Sequence, residues 1–236
     1  MKTRQINLMI AAALAVLGLT ACGSDDANPA SDGGVSGSAM VDSRDGQSYR
    51  IVKIGKQTWM AQNLNYAAPN SVCYDNNPDF CTVYGRLYFY ESVPTACPSG
   101  WHIPKVDEWS ELFEATGVTP GKVMSSEMEK LLSKDGWTLY EGQFLTMDRN
   151  GSDDYGFSVL PAGTANLSGT FASAGTDAEF WAYEYEDWSS IKSIDGYWYS
   201  ILFSRSDPSL SAVFKYYLSK EDEIIYDARS IRCVKD

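Results

Sequence analysis

"CPSGWHIPKVDEW", Cys97 to Trp109, is the stretch on which the fold of this chain turns. Its His102 is the only histidine among 236 residues. A lone histidine between Trp101 and Pro104 fits either a catalytic base or a packing residue in a turn that leads into a helix. The following run, "VDEWSELFEATG", places Trp109, Leu112 and Phe113 at i, i+3 and i+4 and stops at Gly117. That spacing predicts an amphipathic helix. Asp107 and Glu108 lie in its first turn, where acids are favoured by the helix dipole. No second histidine, nearby cysteine nucleophile or motif-assigned acid accompanies His102, so a packing or backbone-bonding role is expected.

Upstream, "SYRIVKI" (Ser48–Ile54) and "QTWMAQNL" (Gln57–Leu64) alternate around Gly55–Lys56 and predict a hairpin. "GRLYFYES" (Gly85–Ser92) predicts a strand, and "VMSSEMEKLLSK" (Val123–Lys134) a second helix with Met124, Met128, Leu131 and Leu132 on one face. From "YGFSVLPAG" onward the pattern is strand and turn. "FWAYEY" (Phe180–Tyr185), "GYWYSILFS" (Gly196–Ser204), "AVFKYYLS" (Ala212–Ser219) and "SIRCVKD" (Ser230–Asp236) are the candidate strands. Two helices followed by a meander make an α+β domain over residues 41–236.

The first residues, "MKTRQINLMIAAALAVLGLTAC", join a basic start, Lys2 and Arg4, to an apolar run from Leu8 to Leu19. The run is too short for a comfortable bilayer span and reads as a signal peptide, residues 1–21. "LTAC" resembles the bacterial lipobox, which implies cleavage before Cys22 and acylation there. Several acyl chains hold a protein on a membrane stably. Residues 22–40 are rich in Gly, Ser and Asp and read as a flexible tether, whose roughly 18 residues reach about 23 Å. Asp25 and Asp26, close behind the lipid, resemble surface-export signals of some Gram-negative lipoproteins. The chain is therefore expected in the cell envelope, as an outer-membrane lipoprotein on either face. Without Lys2 and Arg4 it carries 17 basic and 31 acidic residues, a net −14. That sign argues against nucleic acid and anionic lipid surfaces as partners.

With Cys22 assigned to lipid, Cys73, Cys81, Cys97 and Cys233 remain. An even set in an oxidising compartment reads as two disulfides, with three pairings possible. Cys73 and Cys81 flank an Asn-Asn-Pro-Asp turn and are suited to closing a small hairpin-like loop, which leaves Cys97 for Cys233. On the chain-entropy argument the long ring is worth about 5 kcal/mol and the short one about 2.5. A zinc site lacks both a CxxC and a second histidine.

Six segments in order, "DSRDGQSYRIVKIGKQTWMAQNLNY", "CYDNN…C…YGRLY", "CPSGWHIPKVDEW", "YGFSVLPAG", "FW" and "SIRCVKD", resemble the Fibrobacter succinogenes major paralogous domain over essentially all of Asp42 to Asp236. More distantly, "CPSGWHIPKVDEW" and the closing "RC" resemble the C-type-lectin-like fold, and formylglycine-generating enzymes share a related segment. The resemblance implies a disulfide-braced, lectin-like α+β domain with Cys97–Cys233 as its long link. It implies no activity. The Glu-Pro-Asn, Gln-Pro-Asp and Trp-Asn-Asp triplets of calcium-dependent sugar-binding lectins are missing, and no cysteine is spare for formylglycine-type chemistry. Where relatives carry Ser or Thr after the proline, Lys105 stands here. The helix start then keeps Glu108 but loses the side-chain acceptor of the cap.

Two constellations remain. Asp148, Asn150, Ser152, Asp153 and Asp154 crowd oxygen donors into one loop, a weak calcium candidate whose spacing is not that of an EF-hand. "FWAYEYEDW" puts Trp181, Tyr183 and Tyr185 on one strand face and Glu184 and Glu186 on the other. The row fits a core-facing stripe or, together with Trp188, Tyr197 and Trp198, a platform for stacking sugars. No cofactor motif and no hydrolase, nucleotide or metalloprotease signature occurs. The expectation is a lipid-anchored module that binds a glycan or a partner protein without catalysis. An interaction protein with no small ligand and a polysaccharide hydrolase are the alternatives.

Overall fold

The hairpin expected around Gly55–Lys56 forms, and the rest of the domain is arranged around it. The structure, a computed structural model, describes residues 38–121, 126–138, 140–141, 146–147, 150–183, 198–205, 211–217 and 227–236. In chain order the elements are β1 (Ala39–Val41), β2 (Ser48–Ile54), β3 (Gln57–Met60), β4 (Ser71–Val72), α1 (Pro78–Tyr84), β5 (Leu87–Tyr88), β6 (Trp101–His102), α2 (Val106–Thr116) and α3 (Ser126–Glu129). Then come β7 (Tyr140–Glu141), β8 (Thr146–Met147), β9 (Thr164–Asn166), β10 (Phe171–Ala172), β11 (Asp177–Tyr183), β12 (Trp198–Ser204), β13 (Ser211–Tyr217), β14 (Asp227–Ala228) and β15 (Val234–Lys235). The domain is α+β. Among the described residues no helix is long and apolar enough to cross a membrane.

The main sheet has the order β1-β2-β3-β15-β6. Its fourth strand comes from the far end of the chain: Val234 pairs with Trp59 on one side and His102 on the other. The Cys97–Cys233 disulfide clamps that insertion across 136 residues. The tether ends earlier than its composition suggests, because Ala39 and Met40 pair with Arg50 and Tyr49.

Helix α2 forms as its spacing predicts and buries Trp109, Leu112, Phe113 and Thr116. It ends at Gly117, whose φ of 74° is a left-handed value that favours glycine. Trp109 is the hub of the largest core, with ring centres of Trp59 at 4.8 Å, Phe180 at 5.6 Å and Phe157 at 6.1 Å. At its start the backbone N–H of Lys105 donates to the Glu108 carboxylate at 2.7 Å, while no side chain caps the helix in return. Half of the capping box is present.

Strand β11 departs most from expectation. From Ala178 to Tyr183 every residue is buried. Ala178, Phe180 and Ala182 face the Trp109 core, whereas Trp181 and Tyr183 enter a second core with Tyr88, Ile103 and Ile231. Its outer edge is closed by parallel bridges to Ser230, Lys105 and Gly163. The edge is therefore covered, as an exposed sheet edge needs to be.

Three other elements differ. Among the described residues of the expected second helix, Ser126–Glu129 are helical, and Leu132 instead bridges to Val159. The strand expected over Gly85–Ser92 is β5 alone, followed by a 3-10 turn over Tyr90–Thr95. The Cys73–Cys81 ring closes as expected but holds the start of α1 rather than a hairpin-like loop. Asn77 caps that helix by accepting from the Asp79 N–H at 3.0 Å, and Pro78 occupies its first position.

Candidate functional site

Where β3 ends, the chain leaves the sheet and opens a cleft of about 290 Å³ between β2 and α1. One wall is Gln47, Ser48, Tyr49 and Arg50. Strand alternation turns Tyr49 into the core and leaves Arg50 exposed. The ladder does not continue past Met60. Instead Gln62 supplies its own Oε1 to the Arg50 N–H at 2.7 Å, and the Ala61 N–H donates to the Arg50 carbonyl. This use of Oε1 leaves the Gln62 amide NH2 without a partner among the described residues.

The floor is set by Asn63, which is buried. Its NH2 donates to the Tyr84 carbonyl at the end of α1 (2.8 Å), and its Oδ1 accepts from Arg232 Nε at 2.9 Å. Arg232 is fully buried and also donates to the carbonyls of Phe157 and Ser158, over the Phe157 ring. Burial pulls its guanidinium down to about 9; Asp153 works in the opposite sense and Arg50 adds to the lowering. The group therefore remains charged at neutral pH, close enough to Arg50 to be repelled by it.

The opposite wall is Cys81, Thr82, Val83 and Gly85. Gly85 has φ of 73°, and a Cβ there would lie 2.8 Å from both the Asn63 Cβ and the Leu64 carbonyl oxygen. Only glycine lets α1 press this closely on the floor. Arg86 lies behind, with Nη1 at 3.2 and 3.4 Å from the sulfurs of Cys73 and Cys81.

Thirteen residues line the cleft and none is Asp or Glu, in a chain with 31 acids. The two walls between them offer the Arg50 guanidinium, the hydroxyls of Ser48 and Thr82, and the half-buried amides of Gln62 and Asn65. Such groups bind oxygen-rich ligands through hydrogen bonds. The lining holds no carboxylate, imidazole or free thiol beside the Ser48 and Thr82 hydroxyls.

His102 lies elsewhere and is not the partnerless residue expected from its surroundings in sequence. Its Nδ1 is 2.6 Å from Asp236 Oδ1, and its Nε2 is 2.9 Å from Glu108 Oε1. Hydrogen bonding to Glu108 raises its pKa above the ordinary value, burial opposes this, and Asp236 reinforces it. Both ring nitrogens face carboxylates, so the imidazolium form suits the site. The group ties β6 to α2 and to the last residue of the chain.

Of the residues expected to form a sugar platform, the structure describes the side chains of Trp181 and Tyr183, and both are buried. Trp181 is 0% and Tyr183 5% exposed, so neither offers a ring face to a ligand. The physical reason is the double covering of β11. Trp181 donates to the Tyr88 carbonyl at 2.7 Å and lies under the Arg229 guanidinium. Glu184, Tyr185, Glu186, Trp188 and Tyr197 lie outside the described residues, as does the side chain of Trp198. Cys22 and Asp148 also lie outside them. Of the calcium candidates, Asn150 accepts from the Trp137 N–H across the loop and Asp153 from the Ser158 N–H. Asp154 is exposed, and among the described residues no group of three or more His, Cys, Asp or Glu is placed to hold a metal.

The profile of the Fibrobacter succinogenes major domain matches residues 52–235. The chain belongs to that family. No curated protein and no solved structure matches it. Within this Fibrobacter major domain, Gln62, Asn63, Asn65 and Thr82 of the cleft fall inside the matched span, and Arg50 stands two residues before it. Sequence reasoning missed Arg50, although period-two alternation in "SYRIVKI" already marks it as outward-facing. What sequence does not display is the lack of a carboxylate opposite it.

Proposed function

We propose that the chain is a cell-envelope protein, held on the outer membrane by lipid at Cys22, whose folded domain binds a glycan in the Arg50 cleft and performs no catalysis. The reading rests above all on the character of the cleft: a cation, amides and hydroxyls along its walls, and no carboxylate, histidine or free thiol in the lining. A glycosidase would require two carboxylates about 5 to 10 Å apart across the ligand. Two disulfides and a doubly covered central strand give the cleft a stiff frame, which reduces the ordering cost of binding. The resemblance to the lectin-like fold supports the same reading. The triplets of calcium-dependent sugar binders are missing, so recognition here is direct rather than through calcium.

The test is a glycan panel probed with the full lipidated chain in detergent. Arg50→Ala and Gln62→Ala are expected to weaken binding about tenfold or more, while Lys56→Ala on another face leaves it unchanged. A glycan bound equally well by the Arg50→Ala/Gln62→Ala double variant would overturn the site assignment.

A further inference from the structure

We infer that the group seated on Arg50 is the carboxylate of an acidic sugar, an inference that rests on the glycan reading above. Arg50 is exposed on β2, and its one side-chain hydrogen bond runs from Nη2 to the Ala61 carbonyl at 3.3 Å. No carboxylate among the described residues lies within ion-pair distance of it. A guanidinium presents a planar fork of N–H donors that matches a carboxylate in two parallel bonds.

The surroundings favour the same charge. Behind Asn63, Arg232 is buried against neutral acceptors only. Two acids lie nearby, and both are already engaged: Asp153 with Ser158, and Asp45 with Gln47. The acid-free lining thus stands against a second cation, in a domain whose surface is otherwise strongly acidic. Asp153 already acts on Arg232, so the cation left without a carboxylate within ion-pair distance among the described residues is Arg50. The hollow between the β2–β3 turn and α2 gives the contrast: it is larger, about 450 Å³, and already holds Lys56 together with Glu111 and Glu114.

The charge should be single. Helix α1 turns its C-terminal end toward the cleft, and that end of a helix disfavours negative charge. A dianionic phosphate would find one exposed guanidinium and no helix N-terminus. A monoanionic carboxylate on a ring rich in hydroxyls matches both the fork and the amides beside it. At about 290 Å³ the cleft is at the low end of ligand pockets, which suits one sugar residue rather than a long stretch of polymer.

The experiment measures equilibrium binding of the full chain to three matched oligosaccharides. One carries a uronic acid, the second is its carboxyl-reduced neutral form, and the third is the neutral form bearing a sulfate. The uronate is expected to bind about tenfold tighter than the neutral form. Arg50→Gln should abolish that preference without altering the melting temperature, Arg50→Lys should keep part of it, and Gln62→Ala should weaken acidic and neutral forms alike. Equal affinity for the acidic and reduced forms, or a preference for the sulfate, would overturn the carboxylate assignment and leave the glycan reading standing. If no saccharide binds, the glycan reading falls and this inference falls with it.

Discussion

The centre of the domain and the Arg50 cleft are made of opposite materials. Around Trp109 and β11, rings close on rings: Trp181 donates to the Tyr88 carbonyl, and the buried Trp109 Nε1 has no hydrogen-bond partner among the described residues. Along the cleft, Arg50 and Gln62 satisfy the backbone where the ladder stops and still keep donors to spare. The difference teaches where to look for binding in such a chain. Aromatic density reports that a strand is covered on two faces. Ligand-facing character lies in the polar groups left over once the backbone is served.

The strongest way to break this contrast is to truncate one residue from each region. Trp109→Ala should cost about 3–5 kcal/mol, because it empties the place where Trp59, Phe157 and Phe180 meet. Arg50→Ala should change stability by about 0.5 kcal/mol or less, as expected of an exposed side chain. Denaturant unfolding of both variants checks the pair, and a large loss in Arg50→Ala would make the cleft a structural seam.

A smaller effect belongs to the His102 clamp, which ties β6 to α2 and to Asp236. Its folded pKa is raised, so the stability it contributes is fully present below the unfolded value of about 6.5 and is lost as pH rises through the folded one. The melting-temperature gap between the native chain and His102→Gln should therefore be widest near pH 5.5 and narrow towards pH 8.5. A gap that widens with pH would show that the imidazolium is not the stabilising form.

The smallest change sharpens rather than breaks the comparison. Lys105→Ser completes the half-formed box at the start of α2 and should add about 1 kcal/mol. An unchanged or lowered melting temperature would place the helix start elsewhere.

What could be read from sequence follows the range of each interaction. The β2–β3 hairpin and α2 were legible because their periodicity is local, and the disulfides because four cysteines leave few pairings. Helix α1 had a signal that was passed over: Asn77 followed by Pro78 is a helix start as much as a turn. The carboxylate pair around His102 is not legible in sequence, because one of its acids lies 134 residues away, at Asp236. Trp181 shows the same limit from the other side. Alternation in "FWAYEY" is real, but whether its second face meets water depends on Tyr88, Ile103 and Ile231, which cover Trp181 and Tyr183.

The position of β15 between β3 and β6 has a consequence for biogenesis. During synthesis the hairpin of residues 48–60 and the Cys97 segment emerge long before their shared neighbour. They must wait, unpaired and with one thiol uncommitted, for residues 233–235. A domain closed by such a late arrival folds after its last strand is delivered, and slowly, because its decisive contacts span most of the chain. Loss of even the final few residues would therefore act at the folding step, leaving the Cys97 thiol open to wrong partners.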